Sequence, residues 1–200
     1  MAIHNNGIDD HNQCGKKMNK PLSFFIPMIM EFKISKSKTK ISIPLKSNGR
    51  YCIDWGDDKN FTFLKNLENV NKHTYVRRGT YIIKIYGNVT KICDWKRNVA
   101  KHLIRVIDYG NLPLQKIAFE MARNLISVPN KLPTTVTDIS MMFCGARKFN
   151  QSVDNFDTKN VTDMSYMFDN AANFNQSVDN FDTKNVTNMT GMFNDASLFD

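Results

Sequence analysis

The sequence predicts an α+β repeat protein: a small β-sandwich followed by a right-handed solenoid of 25-residue repeats. Three observations carry that expectation. Residues 31–90 alternate apolar and polar side chains in short runs broken by turn residues. Residues 150–174 match residues 175–199 at 18 of 25 positions, and self-similarity at such a period marks a repeat array. The charge divides at the same place. Residues 1–149 hold 25 Lys+Arg against 11 Asp+Glu, whereas residues 150–200 hold 2 against 8. The net +8 of the 200-residue chain therefore joins a basic part to an acidic part.

Composition closes several alternatives. With 42% hydrophobic and 23% charged residues the chain can build a core. No apolar run approaches the ~18 residues of a spanning helix. The four cysteines, Cys14, Cys52, Cys93 and Cys144, are too few and scattered for a disulfide scaffold and fit no zinc spacing. The 24 asparagines, with many Lys and Ile, speak of codon usage rather than function.

Residues 1–29 read as a disordered tail. Lys16, Lys17 and Lys20 precede a short apolar stretch, Pro21–Met30, that imitates a signal peptide. Two prolines interrupt it, no small-residue cleavage site follows, and a strand pattern begins at once. A start at Met18, Met28 or Met30 is the alternative explanation. The compartment is left open.

Residues 30–90 are expected as the sandwich. Phe32 to Leu45 alternates, Ser47–Arg50 reads as a turn, and Tyr51, Ile53 and Trp55 share a strand face. Gly56-Asp57-Asp58 turns the chain, Tyr81, Ile83 and Ile85 share the next face, and Gly87-Asn88 closes that strand. The pair Ile53-Asp-Trp-Gly-Asp57 and His73-Thr-Tyr75…Gly79-Thr-Tyr81 resembles the polycystic-kidney-disease (PKD) type of immunoglobulin-like domain. Ile53 and Asp58 depart from that family's usual Trp and Gly. The resemblance implies a stalk or presenting module and gives Asp54, Trp55, Gly56, Asp57, His73, Tyr75, Gly79 and Tyr81 structural roles.

Residues 91–124 are expected as a connector of degenerate repeats, and residues 125–200 as the solenoid. The repeat columns are Val136/Val161/Val186, Ile139/Met164/Met189, Met142/Met167/Met192, Phe143/Phe168/Phe193 and Phe149/Phe174/Phe199. Within one repeat, Asn160–Met164 reads as a short strand with Val161 inward. Ser165 reads as the cap of a short helix burying Met167, Phe168 and Ala171. One coil of 25 residues buries too little apolar surface to offset the entropy of ordering it, so neighbours must share a core. These repeats resemble the BspA-like leucine-rich repeats of surface proteins. Phe156 and Phe181 stand where that family usually has Trp. The resemblance implies adhesion or protein–protein recognition, usually at a cell surface, through a scaffold built on Val161, Met164, Phe168, Phe174, Val186, Met189 and Phe193.

Other readings compete. Asn160 and Asn185 read as a structural ladder rather than a ligand row. Asp154, Asp157, Asp163, Asp169, Asp179 and Asp182 lack calcium-loop spacing and read as a solvated face. No nucleophile elbow, phosphate loop or metal-helix motif occurs, so no catalytic, cofactor-binding or metal-binding residue is expected and the chain is read as a non-enzyme. His4 and His11 fall in the tail. The rival function is binding of nucleic acid, anionic lipid or sulfated glycan by the basic half, through Lys33, Lys36, Lys38, Lys40 and Lys46 with Arg77, Arg78, Lys96, Arg97 and Lys101, of which Lys36, Lys38 and Lys40 share one strand face. Protection of an edge strand by lysines is the plainer explanation of that run. The expected partner is a host or cell-surface protein rather than nucleic acid. Self-association through the open last repeat is a further expectation. Seven Asn-x-Ser/Thr sequons, at 60, 88, 150, 160, 175, 185 and 188, are weak evidence of glycosylation in so asparagine-rich a chain.

Overall fold

The structure, a computed structural model, describes residues 24–57, 61–65 and 71–200. Readings that fall on residues 1–23, 58–60 and 66–70, among them Cys14, His4, His11, Asp58 and Asn60, lie outside the described residues. The elements are β1 (Met28–Ile34), β2 (Thr39–Ser42), β3 (Leu45–Asp54), β4 (Phe61–Lys65), β5 (Lys72–Tyr75), β6 (Gly79–Ile92), α1 (Arg97–Ala100), β7 (Leu103–Asp108) and β8 (Lys116–Ile117).

Strand alternation builds the first half. In β1, Met28, Met30, Phe32 and Ile34 are buried while the residues between them are not, the period of a strand with one face on a core. The main sheet runs β4-β3-β6-β1-β7, with β1 antiparallel to both β6 and β7 and β3 antiparallel to both β4 and β6. A second sheet pairs β2 with β5, antiparallel, from Thr39↔Tyr75 to Ser42↔Lys72. The result is β-sandwich-like.

Several local expectations change. β1 begins at Met28, inside the segment read as tail. Ser47–Arg50 is not a turn between strands but an irregularity within β3, whose register against β6 shifts between Ser47 and Tyr51. Gly87-Asn88 does not close β6. Gly87 takes φ 108, a conformation open to glycine, and the strand bends and continues to Ile92. Asn88 sits against Gly49, where a side chain would meet the Asn88 amide nitrogen at 2.7 Å. The segment 91–124 supplies β7 to the main sheet rather than only linking two units.

The main correction concerns the second half. The right-handed leucine-rich-repeat solenoid of short strands and helices does not form. Regular structure among the described residues is mostly antiparallel sheet, and its helix is the four-residue α1. The 25-residue segments are irregular turns touching through single parallel bridges, Lys116↔Asp138, Asp138↔Asp163 and Asp163↔Asn188. The reason lies in where the amides point. A helix needs each N–H to bond four residues back. Here alternate amides close tight turns, Met167 N to Met164 O, Asp169 N to Tyr166 O and Ala171 N to Phe168 O. Those between them donate to the next segment, Tyr166 N to Thr190 O, Phe168 N to Met192 O and Asn170 N to Asn194 O. Tyr166 and Asn170 take φ 54 and 55, left-handed values that a right-handed helix excludes.

The two halves share one core. Buried side chains run without interruption from Met28 to Met192. The end of β6 pairs in parallel with β8 at Lys91↔Lys116 and Ile92↔Ile117, and Lys116 opens the series of bridges through the repeats. The sheet thus serves as the first rung on which the later segments lie.

Candidate functional site

Three groups of residues were singled out by the sequence, and the structure places each. The first is the Asp54–Asp57/His73–Tyr81 group. His73 Nε2 donates to Asp57 Oδ2 at 2.8 Å, and its ring stacks on Trp55 at 5.1 Å. Tyr75 lies edge-on to His73 at 4.6 Å and tilts against Tyr81 at 4.1 Å. The Tyr75 hydroxyl donates to Trp55 O at 2.7 Å and the Tyr81 hydroxyl to Arg77 O at 2.9 Å. Gly56 takes φ 72, its N–H bonds Asp54 Oδ1 at 2.9 Å, and a Cβ there would fall 2.3 Å from Ile82 O. Only glycine fits so close an approach. Gly79 opens β6 beside the Tyr81 ring. Burial, then the charge of Asp57, pushes the Tyr75 hydroxyl up from its ordinary value. These groups tie one sheet to the other and mostly bond one another, while the buried Asp57 Oδ1 has no hydrogen-bond partner among the described residues.

The second group is the repeat columns. Phe143, Phe168 and Phe193 stack at 5.5 and 5.4 Å, and Phe149, Phe174 and Phe199 at 6.1 and 5.8 Å. Within each segment the two rings meet at 3.8–4.0 Å. Val161, Met164, Phe168 and Phe174 are fully buried. Val186 and Phe193 are only partly covered, and Met189 is 50% exposed. Asn160 and Asn185 are exposed, and their amides donate to the preceding segment at Thr134 O and Lys159 O. Thr162 and Thr187 hydroxyls do the same at Thr137 O and Thr162 O, both 3.1 Å. Asp163 caps its own turn, accepting the Ser165 amide and hydroxyl on Oδ1 at 2.8 and 2.6 Å. Asp138 repeats this with Ser140 and also holds Lys116 at 2.9 Å.

The third group is the basic cluster. Lys36 and Lys38 do not lie on a strand face with Lys40. They occupy the turn between β1 and β2, where Lys38 takes φ 55 and Thr39 Oγ1 bonds Lys36 O at 2.6 Å. Lys40 alone stands in β2, opposite Thr74. Lys36, Arg77 and Arg78 line one depression, without Lys38 or Lys40. Sequence reasoning passed over Arg123, Arg147 and Lys148, which line two neighbouring depressions. The near-repeat spacing of Arg123 and Arg147 was the available signal.

Burial shifts several titratable groups of the interior toward their neutral forms. Desolvation pushes the Cys93 thiol up to about 11 and the Cys144 thiol up to about 12, each helped by a neighbouring carboxylate, Asp94 and Asp169. Thiols so shifted are poor nucleophiles. Burial also raises Glu120, whose Oε1 accepts the Trp95 amide at 2.8 Å. Among the described residues no helix is long and apolar enough to cross a membrane.

The part of the chain that begins at β8 and carries the stacked segments is similar to one described family. Residues 116–200 match the family described as Mycoplasma protein of unknown function, DUF285. The match starts where Lys116 opens the series of bridges and covers less than half of the chain. No curated protein and no solved structure matches the chain.

Proposed function

We propose that the chain is a non-catalytic recognition module that binds a protein partner at a cell surface through the exposed columns of its stacked segments. In this reading the N-terminal half is a PKD-like presenting domain and the repeats are kin to BspA-like surface repeats. One observation supports it above the rest: consecutive segments repeat the same side-chain-to-backbone and side-chain hydrogen bonds at their surface. Ser152 Oγ donates to Asp154 Oδ2 at 2.9 Å, and one segment later Ser177 Oγ donates to Asp179 Oδ2 at 2.9 Å. Asp157 Oδ1 accepts the Lys159 amide at 3.2 Å, and Asp182 Oδ1 accepts the Lys184 amide at 3.1 Å. A partner therefore meets paired carboxylates whose geometry is fixed before binding, which lowers the ordering cost of association. A basic protein segment complements such a face.

Beads coated with the full chain test this on cultured cells. Adhesion that disappears when the cells are first treated with trypsin, and that falls when Asp154, Asp157, Asp179 and Asp182 are changed to Asn, is the expected result. Absence of adhesion, or adhesion indifferent to both treatments, contradicts the proposal.

A further inference from the structure

A different face of the molecule carries a second recognition chemistry. Arg97, Arg123 and Arg147 line one depression together, with the Gly145 backbone in its wall. Arg123 also lines the adjoining depression, with Lys33, Lys101 and Lys148. Ser35 is shared between that one and the third, where Lys36, Arg77 and Arg78 stand. The three depressions therefore run on from one another. They are open and shallow, the third nearly flat, a course suited to an extended ligand lying along the surface rather than one enclosed small molecule.

Among the described residues nine cations line this course and no Asp or Glu does. None of the nine is ion-paired with a described carboxylate; the pairs present involve Lys46, His73, Arg105, Lys116 and Lys159. Concentrated charge of one sign in concave ground focuses the field on an oppositely charged ligand. The first depression has local support. Arg97 Nη2 reaches Met121 Sδ at 4.0 Å, and a Cβ on Gly145, at φ 68, would crowd that same sulfur at 3.2 Å. The absence of a side chain at Gly145 leaves room for the Met121 sulfur on which the Arg97 guanidinium rests. The course also has a defined end. At the positions of Arg147 and Lys148 the next segment carries Ala172 and Asn173, and the last carries Ser197 and Leu198.

We infer that this course binds a linear sulfated polysaccharide. Single-stranded nucleic acid is ordinarily held by aromatic platforms that stack on bases, and His102 is the lone aromatic ring among the lining residues. Duplex readers place a helix or ribbon in a groove, whereas the lining here is turns, strand residues and the first residue of the four-residue α1. A lipid surface is planar, whereas the cations here are spread over three successive depressions. Sulfate groups along a flexible chain match spaced guanidinium and ammonium groups, with Arg as the bidentate partner. The inference is independent of the acidic repeat face and survives or fails without it.

The test uses the full chain on immobilised heparin, with fully desulfated heparin, a 20-base-pair DNA duplex and phosphatidylserine vesicles as competitors. Binding to heparin that weakens as salt is raised, with desulfated heparin inert and the duplex and vesicles competing poorly, is expected. The combined variant Arg97→Glu, Arg123→Glu, Arg147→Glu should bind about tenfold more weakly or worse. A control with the same charge change off the course, Lys84→Glu, Lys159→Glu, Lys184→Glu, should lose little. If the arginine variant does not melt cooperatively, Lys33→Glu, Lys101→Glu, Lys148→Glu takes its place. No binding to heparin at low salt, equal loss in the control, or unchanged binding in the variant overturns the inference. Stronger competition by the duplex or the vesicles overturns it too, in favour of that competitor.

Discussion

Residues 150–174 and 175–199 are nearly the same sequence in two situations. The first segment has a neighbour on each side, whereas the second has one within this chain. Met164 is fully buried and its counterpart Met189 is half exposed. Val161, Phe156 and Phe168 are buried, while Val186, Phe181 and Phe193 are partly covered. Thr158 is 1% exposed and its hydroxyl donates to Asp182 O, while Thr183 stands in solvent. Burial here belongs to the contact between segments and not to the residue. Met192 and Ala196 stay buried without a following copy, but most of the pattern that reads as core in the sequence is fully covered only where a second copy lies on it.

Truncations should separate the two segments most. Phe168→Ala should cost about 3–5 kcal/mol, the range for a buried aromatic, and Phe193→Ala clearly less, because its ring has one stacked neighbour column instead of two. Urea unfolding of the two variants side by side checks this, and equal losses would break the comparison. Met164→Ala should follow at about 2–5 kcal/mol, against less than about 1 kcal/mol for Met189→Ala at its exposed site. Thr158→Val removes one buried hydrogen bond and should cost about 1 kcal/mol. Thr183→Val should be close to neutral in the same denaturation series.

The smallest effect distinguishes the sheet from the repeats. His102 is buried beside β1, its Nδ1–H donating to Lys33 O at 3.0 Å while its own carbonyl accepts the Lys33 amide at 2.9 Å. Burial lowers its pKa below the usual 6.5, with Lys101 adding to the effect and the Lys33 carbonyl opposing it. A group depressed in the folded state takes up protons more readily when unfolded. Its contribution is therefore present above pH 6.5 and lost as pH falls through the lower folded value. The urea midpoint should drop between pH 7.5 and 5.5, and His102→Gln should remove most of that drop. No histidine follows residue 102, so amide exchange in the repeats should change less over the same interval than exchange in β1 and β7.

The apolar columns were legible in the sequence because a 25-residue period needs only the residues themselves. The backbone between them was not. Met167, Phe168 and Ala171 carry helical spacing and are buried, yet spacing cannot reveal that every second amide is claimed by another segment. Left-handed Tyr166 and Asn170 were hidden for the same reason, although Gly191 at the position of Tyr166 was a hint. The Tyr166 ring lies over Gly191, with a carbon 2.5 Å from where a Cβ would stand. In the sheet, Gly87-Asn88 looked like a turn because turn residues and bulge residues are the same residues. The PKD-like group was legible as a pattern, but the Asp57–His73–Trp55 contact was not, since those residues meet only when β5 returns past the 54–57 turn. The basic course was largely legible: Lys33, Lys36, Arg77, Arg78, Arg97 and Lys101 were in view, while Arg123, Arg147 and Lys148 were not.

Amide hydrogen exchange resolved to single residues tests the shared-segment claim most directly. Met164, Tyr166, Phe168 and Asn170 donate to the following segment, whereas the amides of Met189, Gly191, Phe193 and Asp195 have no backbone acceptor among the described residues. In between, the turn amides of Met167, Asp169 and Ala171 and of Met192, Asn194 and Ala196 are bonded alike and serve as internal controls. Slow exchange in the first set, fast exchange in the second and comparable turn amides are expected for the 200-residue chain. Equal protection of the two sets, or fast exchange in both, would show that the segments do not hold one another in place.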